Sequence, residues 1–324
     1  MEYKDTVLKK DNILMKGFKS LWKDHGYVFA LIVLLIFAAI ASPQFMTQTN
    51  IFNILRQTSI VGIIALGMTF VIISGGIDLS VGSVLAVCGV IILLLQNEGV
   101  PIFLSILAGC GVGMAIGAAN GFIIAKAKLA PFIVTLATMT IARSLVIFLS
   151  DGSSIIGDAS SDFTIIGNGK IGPIPIPVLI FLAAILVCHF MLQKTKFGRY
   201  VFSVGGSETT AVYSGIKVDK IKILTYMLIG LTVSIAAVIE TARLASVSSA
   251  SSGLYYEMDA IAAVIIGGTP LTGGKGTIIG TVVGIIILGI IGNIMNLMNI
   301  SPYLNGAVKG IIILIAVLLQ KRGK

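Results

Sequence analysis

The 324 residues are 56% hydrophobic and only 11% charged, with a mean hydropathy of +1.03. A soluble domain carries about 25% charged residues, so the composition excludes a soluble enzyme and predicts an all-α, polytopic membrane protein. The formal charge of +9 does not imply nucleic acid, because the basic residues gather on one side of the spans and need no acidic partner.

Residues 1–26 form a charged tail with Phe18, Leu21 and Trp22 on one face, expected to lie along the inner membrane surface. Spans of about 20 apolar residues follow near 27–42, 58–75, 79–96, 101–125, 131–150, 174–192, 222–241, 276–292 and 304–319. The shorter stretch 258–268 reads as a tenth span or a half-helix, so about ten spans fill a membrane domain over 27–319. The run 28–41 ends in Ala39-Ile40-Ala41, but the long tail of mixed charge before it is unlike the start of a cleaved signal peptide. Residues 43–57 read as an external amphipathic connector, in which Phe45, Ile51, Phe52 and Leu55 alternate with Thr47, Gln48, Asn50 and Asn53.

With the amino terminus in the cytoplasm, ten spans put most of the 23 basic residues on the inner side, including Lys126, Lys194, Arg199, Lys217 and Lys275. The positive-inside rule therefore orients both termini, including the tail 320–324, to the cytoplasm. The three cysteines, Cys88, Cys110 and Cys188, all fall in spans and read as packing residues.

Between the second and third spans lies Ser74-Gly75-Gly76-Ile77-Asp78-Leu79-Ser80-Val81-Gly82-Ser83. The glycine pair frees the backbone, and Asp78 is a charge that hydrocarbon does not accept without a partner. Two readings fit: Asp78 lines a polar pathway, or it caps the next helix in a tight cytoplasmic turn. Ser105, Gly109, Gly113, Gly117 and Gly121 put a small residue at every fourth position of the fourth span. Such a stripe lets another backbone approach closely, as static packing or as a sliding surface.

Residues 151–173 hold Asp151, Asp158 and Asp162 with only Lys170 as a base, and are rich in Gly and Pro. They read as an external loop, long for a connector and suited to docking an outside partner. The cytoplasmic loop 193–221 contains a short helix over 205–216, with Glu208 in its first turn, Ala211 and Val212 as a small apolar face and Gly215 as its stop. A rigid helix between two spans is a handle for a cytoplasmic partner. Gly267-Gly268-Thr269-Pro270-Leu271-Thr272-Gly273-Gly274 echoes residues 75–82, and paired interrupted segments mark duplicated transporter folds. By span count the two copies run in the same direction.

The candidate translocation path is Asp78, Ser80, Asn120, Thr269, Thr272, Asn293 and Asn296, polar residues in otherwise apolar surroundings. Arg143 or Lys309 are the available partners for Asp78 or Glu240. Catalytic chemistry is not indicated. Gly273-Gly274-Lys275-Gly276-Thr277 fails the phosphate-loop pattern, with Thr269 where its first Gly belongs and Gly276 where Ser or Thr must follow the Lys. His25 and His189 have no nucleophile or carboxylate at useful spacing, and no metal or cofactor site is expected.

From about Phe45 to Leu319 the chain resembles the permease subunit of ribose-type monosaccharide ABC importers, the branch with xylose, galactoside and autoinducer-2 permeases. The likeness rests on Asn53-Ile54-Leu55-Arg56-Gln57, Ala65-Leu66-Gly67-Met68-Thr69, residues 74–83, Pro131-Phe132-Ile133-Val134-Thr135-Leu136, Thr138-Met139-Thr140-Ile141-Ala142-Arg143, the 205–216 loop, Gly267-Gly268-Thr269 and Asn299-Ile300-Ser301-Pro302-Tyr303. The resemblance implies a type II-like permease fold in the bacterial cytoplasmic (inner) membrane. It implies a second permease copy, identical or different, and an extracytoplasmic sugar-binding protein. A separate ATPase subunit would hold ATP and Mg, and Gly206, Ser207, Glu208, Ala211, Ser214, Gly215 and Ile216 would couple to it. The family loop reads closer to Gly-x-Asn-x-x-Ala-Ala-Arg-x-Ser-Gly-Ile; here Ser207, Thr210 and Val212 replace its Asn, first Ala and Arg. The expected function is import of a monosaccharide, a ribose-like pentose first. The alternatives are an ABC permease for branched-chain amino acids or nucleosides, and a secondary transporter coupled to ions through Asp78 and Glu240.

Overall fold

A computed structural model describes residues 28–301, 304, 306–311 and 314. The tails 1–26 and 320–324 and half of the expected span 304–319 lie outside the described residues. Helices are α1 (Val28–Ala41), α2 (Gln48–Ile73), α3 (Val81–Asn97), α4 (Ile102–Ala127), α5 (Pro131–Leu149), α6 (Thr164–Asn168), α7 (Ile176–Lys194), α8 (Lys196–Gly206), α9 (Glu208–Tyr213), α10 (Val218–Leu244), α11 (Tyr256–Ile266) and α12 (Ile278–Leu297). Two small antiparallel pairs accompany them: β1 (Ser154–Ile156) with β4 (Ser246–Ser248), and β2 (Lys170–Ile171) with β3 (Ile174–Pro175). Six of the described helices, α2, α4, α5, α7, α10 and α12, are long and apolar enough to cross a membrane.

The centre of the bundle is α2, buried continuously from Thr58 to Ile73 and packed against α7, α10, α11 and α12. A helix apolar all round has no face to give to water or headgroups, so it takes the middle. Gln48–Gln57 is the first part of this helix and not the separate connector that its alternating polarity predicts. The polar positions there are used: Thr47 caps the helix, and Asn50 exchanges side-chain hydrogen bonds of 3.0 and 2.7 Å with Asn293 of α12.

The glycine stripe of α4 packs on α10. A side chain at Gly117 would meet the Tyr226 carbonyl, and one at Gly113 the Ser234 hydroxyl. The stripe is a packing surface, and the outer faces of α4, α5 and α7 remain largely exposed.

Two helices are short because they begin inside the bundle. α3 has 17 residues and α11 has 11, about 25 Å and 16 Å long against a hydrocarbon core of about 30 Å. The segment 258–268 is thus a half-helix. The two helices start beside one another, since a side chain at Gly82 in the first turn of α3 would strike the Gly253 carbonyl and approach the Glu257 carboxylate at 2.9 Å. From there α3 runs toward the end of the bundle holding β1 and β4, where Asn97 donates to the Ile156 carbonyl. α11 runs toward the opposite end, which holds α8 and α9. The pairs α2–α3 and α10–α11 therefore form an inverted arrangement, each a long helix followed by one restarting at depth.

The glycine echo is arranged differently. Residues 75–82 begin, and residues 267–274 end, beside the last turn of α2, where the Gly274 N–H donates to the Ile73 carbonyl at 2.9 Å. Gly205 at the end of α8 closes on the same place: a Cβ there would collide with the Ile73 carbonyl.

Candidate functional site

Two sites stand out, a polar layer where α3 and α11 begin and the α8–α9 face. In the first, Asp78 Oδ1 accepts the Ser80 N–H at 2.8 Å and the Ser80 hydroxyl at 2.6 Å. Asn120 of α4 donates to Ser80 Oγ at 3.3 Å, and Thr138 of α5 donates to Asn120 Oδ1 at 2.6 Å. The Tyr226 hydroxyl of α10 and the Thr135 hydroxyl of α5 both reach the Ile77 carbonyl, at 3.0 and 3.4 Å. The broken segment is thus held from three helices, which satisfies backbone that hydrocarbon would leave unpaired. Asp78 is 3% exposed, and the cavity beside it offers about 10 Å³ to a water-sized sphere, room for about one water. Asp78 holds Ser80, the residue before the first turn of α3, from inside the bundle.

On the α11 side, the Arg143 guanidinium of α5 donates to the Ser249 carbonyl at 3.2 Å and twice to the Ser252 carbonyl at 3.1 Å. The Glu240 carboxylate of α10 lies near the Tyr256 hydroxyl and the Gly253 N–H, with its Oε2 unpartnered among the described residues. Lys309 pairs with Asp259 at 2.7 Å. The expected pairing of Arg143 or Lys309 with Asp78 or Glu240 is therefore corrected. Arg143 bridges to backbone carbonyls, because a segment that has left helical structure offers acceptors within reach.

At the other site, Ser207 Oγ caps α9 by accepting the Thr210 N–H at 3.2 Å. Gly215 ends the helix at φ +76, with its N–H on the Val212 carbonyl at 2.9 Å and the Ile216 N–H on the Ala211 carbonyl at 3.0 Å. This is the left-handed glycine stop that the sequence signals. Gly205 and Gly206 belong to α8, so the helix expected over 205–216 is two helices hinged at Ser207. Ala211 is buried and Ile216 half-buried, while Gly206, Ser207, Glu208, Ser214 and Gly215 face outward. Val212 and Tyr213 are 56% and 87% exposed, so the apolar face expected of Ala211 and Val212 is divided. Glu208 is tied back to Lys222 of α10 at 2.7 Å. Tyr213 was not singled out by sequence; its one signal is a large aromatic at the end of a short helix outside the spans.

The model for the branched-chain amino acid transport system / permease component family matches residues 50–317. The chain belongs to that permease family. The ribose import permease protein RbsC of Bacillus subtilis (strain 168) is 44% identical over 306 residues, covering 94% of this chain and 95% of that protein. The Escherichia coli (strain K12) protein of the same name is 42% identical over 309 residues, covering 94% and 96%. The L-arabinose transport system permease protein AraH of Escherichia coli (strain K12) is 37% identical over 305 residues, covering 94% and 92%. No solved structure matches the chain.

As a permease component, the chain is a multi-pass protein of the inner membrane and a transport subunit, with ATP hydrolysis carried out by a separate ATPase and substrate delivered by a binding protein. The seven residues named for its path do not converge. Asp78, Ser80 and Asn120 form the sealed network described above. Thr269 is fully buried at the α9 end with its hydroxyl unpartnered among the described residues, and Thr272 is exposed there. Asn293 is engaged with Asn50, and Asn296 is exposed near the far end of α12.

Proposed function

We propose that this permease imports a monosaccharide, a ribose-like pentose, driven by an ATPase that grips α9, and that it works as a pair of permeases. The observation that carries the reading is 44% identity to a ribose import permease across 94% of the chain. Lys126, Lys128, Lys194, Lys196, Arg199, Lys217 and Lys220 gather at the α9 end, while Asp151, Asp158 and Asp162 belong to the β1–β4 end. By the positive-inside rule the α9 end is cytoplasmic, both termini with it, and the 151–173 face receives the sugar-binding protein. Outward-facing Val212, where the family loop has Arg, makes the contact with the ATPase more apolar.

For the sugar path, the outer face of α5 supports a location that sequence alone did not reach. Thr140, Arg143 and Ser144 form one helical stripe; Arg143 reaches the Ser249 and Ser252 carbonyls and feels the half-exposed Glu257. Charge and hydroxyls on an outer face at this depth exclude lipid. They suit a water-filled passage closed by the second permease copy, with the Asp78–Ser80–Asn120 network bracing α3 behind it.

The test is uptake of labelled ribose by vesicles holding the permease, its ATPase and its binding protein. ATP-dependent uptake is expected; uptake driven by an ion gradient without ATP would overturn the reading in favour of a secondary transporter. Competition by leucine but not by pentoses would move the substrate to branched-chain amino acids. Within this frame, Arg143→Gln removes charged donors worth about 1.5–3 kcal/mol each from two carbonyls, and uptake is expected to fall roughly tenfold or more. Unchanged uptake would take Arg143 out of the path.

A further inference from the structure

The groove between α8 and the start of α10 has a volume of about 390 Å³ and is lined by aromatic and aliphatic side chains below and two lysines above. We propose that it binds an anionic phospholipid, with the headgroup phosphate on Lys217 and Lys220 and the upper part of an acyl chain against Phe197, Ile221 and Leu224.

Lys217 and Lys220 are exposed and enter no ion pair among the described residues. The carboxylates nearest them in the chain are already taken, Asp219 by Lys126 and Glu208 by Lys222, each at 2.7 Å. Two cations are thus left without an internal counter-charge at the mouth of one groove. Below them, Ile221 and Leu224 belong to the first turns of a membrane-crossing helix, and Phe197 and Tyr200 come from α8. That helix is amphipathic: Val201 and Val204 point into the protein while Lys196, Arg199 and Ser203 face out. Phosphate-level cations above an apolar wall match an acidic lipid, whose attraction to each basic residue near the surface is about 1 kcal/mol. A free phosphate or nucleotide would gain nothing from the wall, and a neutral lipid would leave both lysines uncompensated. The groove borders the Gly215–Lys217 turn that closes α9, so a lipid held there ties that end of α9 to the bilayer.

The test is native mass spectrometry of the full-length chain, delipidated and then offered phosphatidylglycerol and phosphatidylcholine together. Selective retention of phosphatidylglycerol is expected. It should fall roughly 30-fold in Lys217→Gln/Lys220→Gln and stay unchanged in Lys128→Gln/Lys275→Gln, which removes two exposed lysines from the same end. Equal retention of both lipids, or equal losses in the two double variants, would overturn the proposal. So would shielding of Lys217 and Lys220 from amine labelling that requires the ATPase subunit and is indifferent to lipid, which would make the groove a protein interface.

Discussion

Asp78 and Asp158 make the same local contact. Each Oδ1 accepts the N–H of the serine two residues on at 2.8 Å and its hydroxyl at 2.6 Å. Around exposed Asp158 those bonds hold the carboxyl below its ordinary pKa and shape a loop. At Asp78 the same turn is sealed among α3, α4 and α10 and begins a helix inside the bundle. Asp78→Ala leaves the Ser80 N–H and hydroxyl without their acceptor, at a cost of about 1–3 kcal/mol. Asp78→Asn keeps an acceptor oxygen. A melting temperature in detergent that drops clearly for the Ala variant and little for the Asn variant is the expected outcome. Equal drops would show that the charge, and not the cap, is what the site uses. The Asp-x-Ser turn was legible in sequence; its burial was not, because burial depends on Asn120 and Tyr226, which come from two other helices.

At the scale of elements, spacing predicted the α4 stripe, and α10 proved to be its partner. Gly117→Leu must push the two backbones apart, and overpacking of this kind costs about 1–3 kcal/mol; thermal unfolding in detergent should register it, and an unshifted transition would mean that the helices separate freely. The stop of α9 is the second such feature. Gly215 sits at φ +76, where proline, fixed near −65°, does not fit. Gly215→Pro should insert normally yet lose most ATP-coupled uptake, whereas Gly215→Ala should lose less, its strain being about 1–2 kcal/mol. Wild-type coupled uptake in the proline variant would remove α9 from the mechanism. The start of α2 escaped sequence reading for a physical reason. Asn50 and Asn53 look like loop residues until Asn293 supplies the hydrogen bonds that let Asn50 sit in a helix.

For the whole molecule, sidedness decides which end meets the ATPase. With single cysteines at Ser160 and Tyr213 in intact cells, a membrane-impermeant maleimide should label position 160 directly and position 213 only after permeabilisation. The reverse pattern would invert the assembly. The native cysteines interfere little, since Cys88 and Cys188 are buried and Cys110 is half-buried within a span.

By itself the sequence determined the solvent of this protein, its multi-pass character, the place where its chain breaks and the short helix between α8 and α10. Those properties are local: they follow from runs of apolar residues, from glycines with particular backbone freedom and from caps within a few positions. The tertiary structure decided which broken helices meet. The inverted match of α2–α3 with α10–α11 is carried by backbone course and not by side-chain identity, so the visible glycine echo pointed instead to two loops lying side by side. It also decided which of the named polar residues meet, joining Asp78, Ser80 and Asn120 and setting Arg143 on a non-helical segment, because a buried group's contacts are fixed by the partners that folding brings to it.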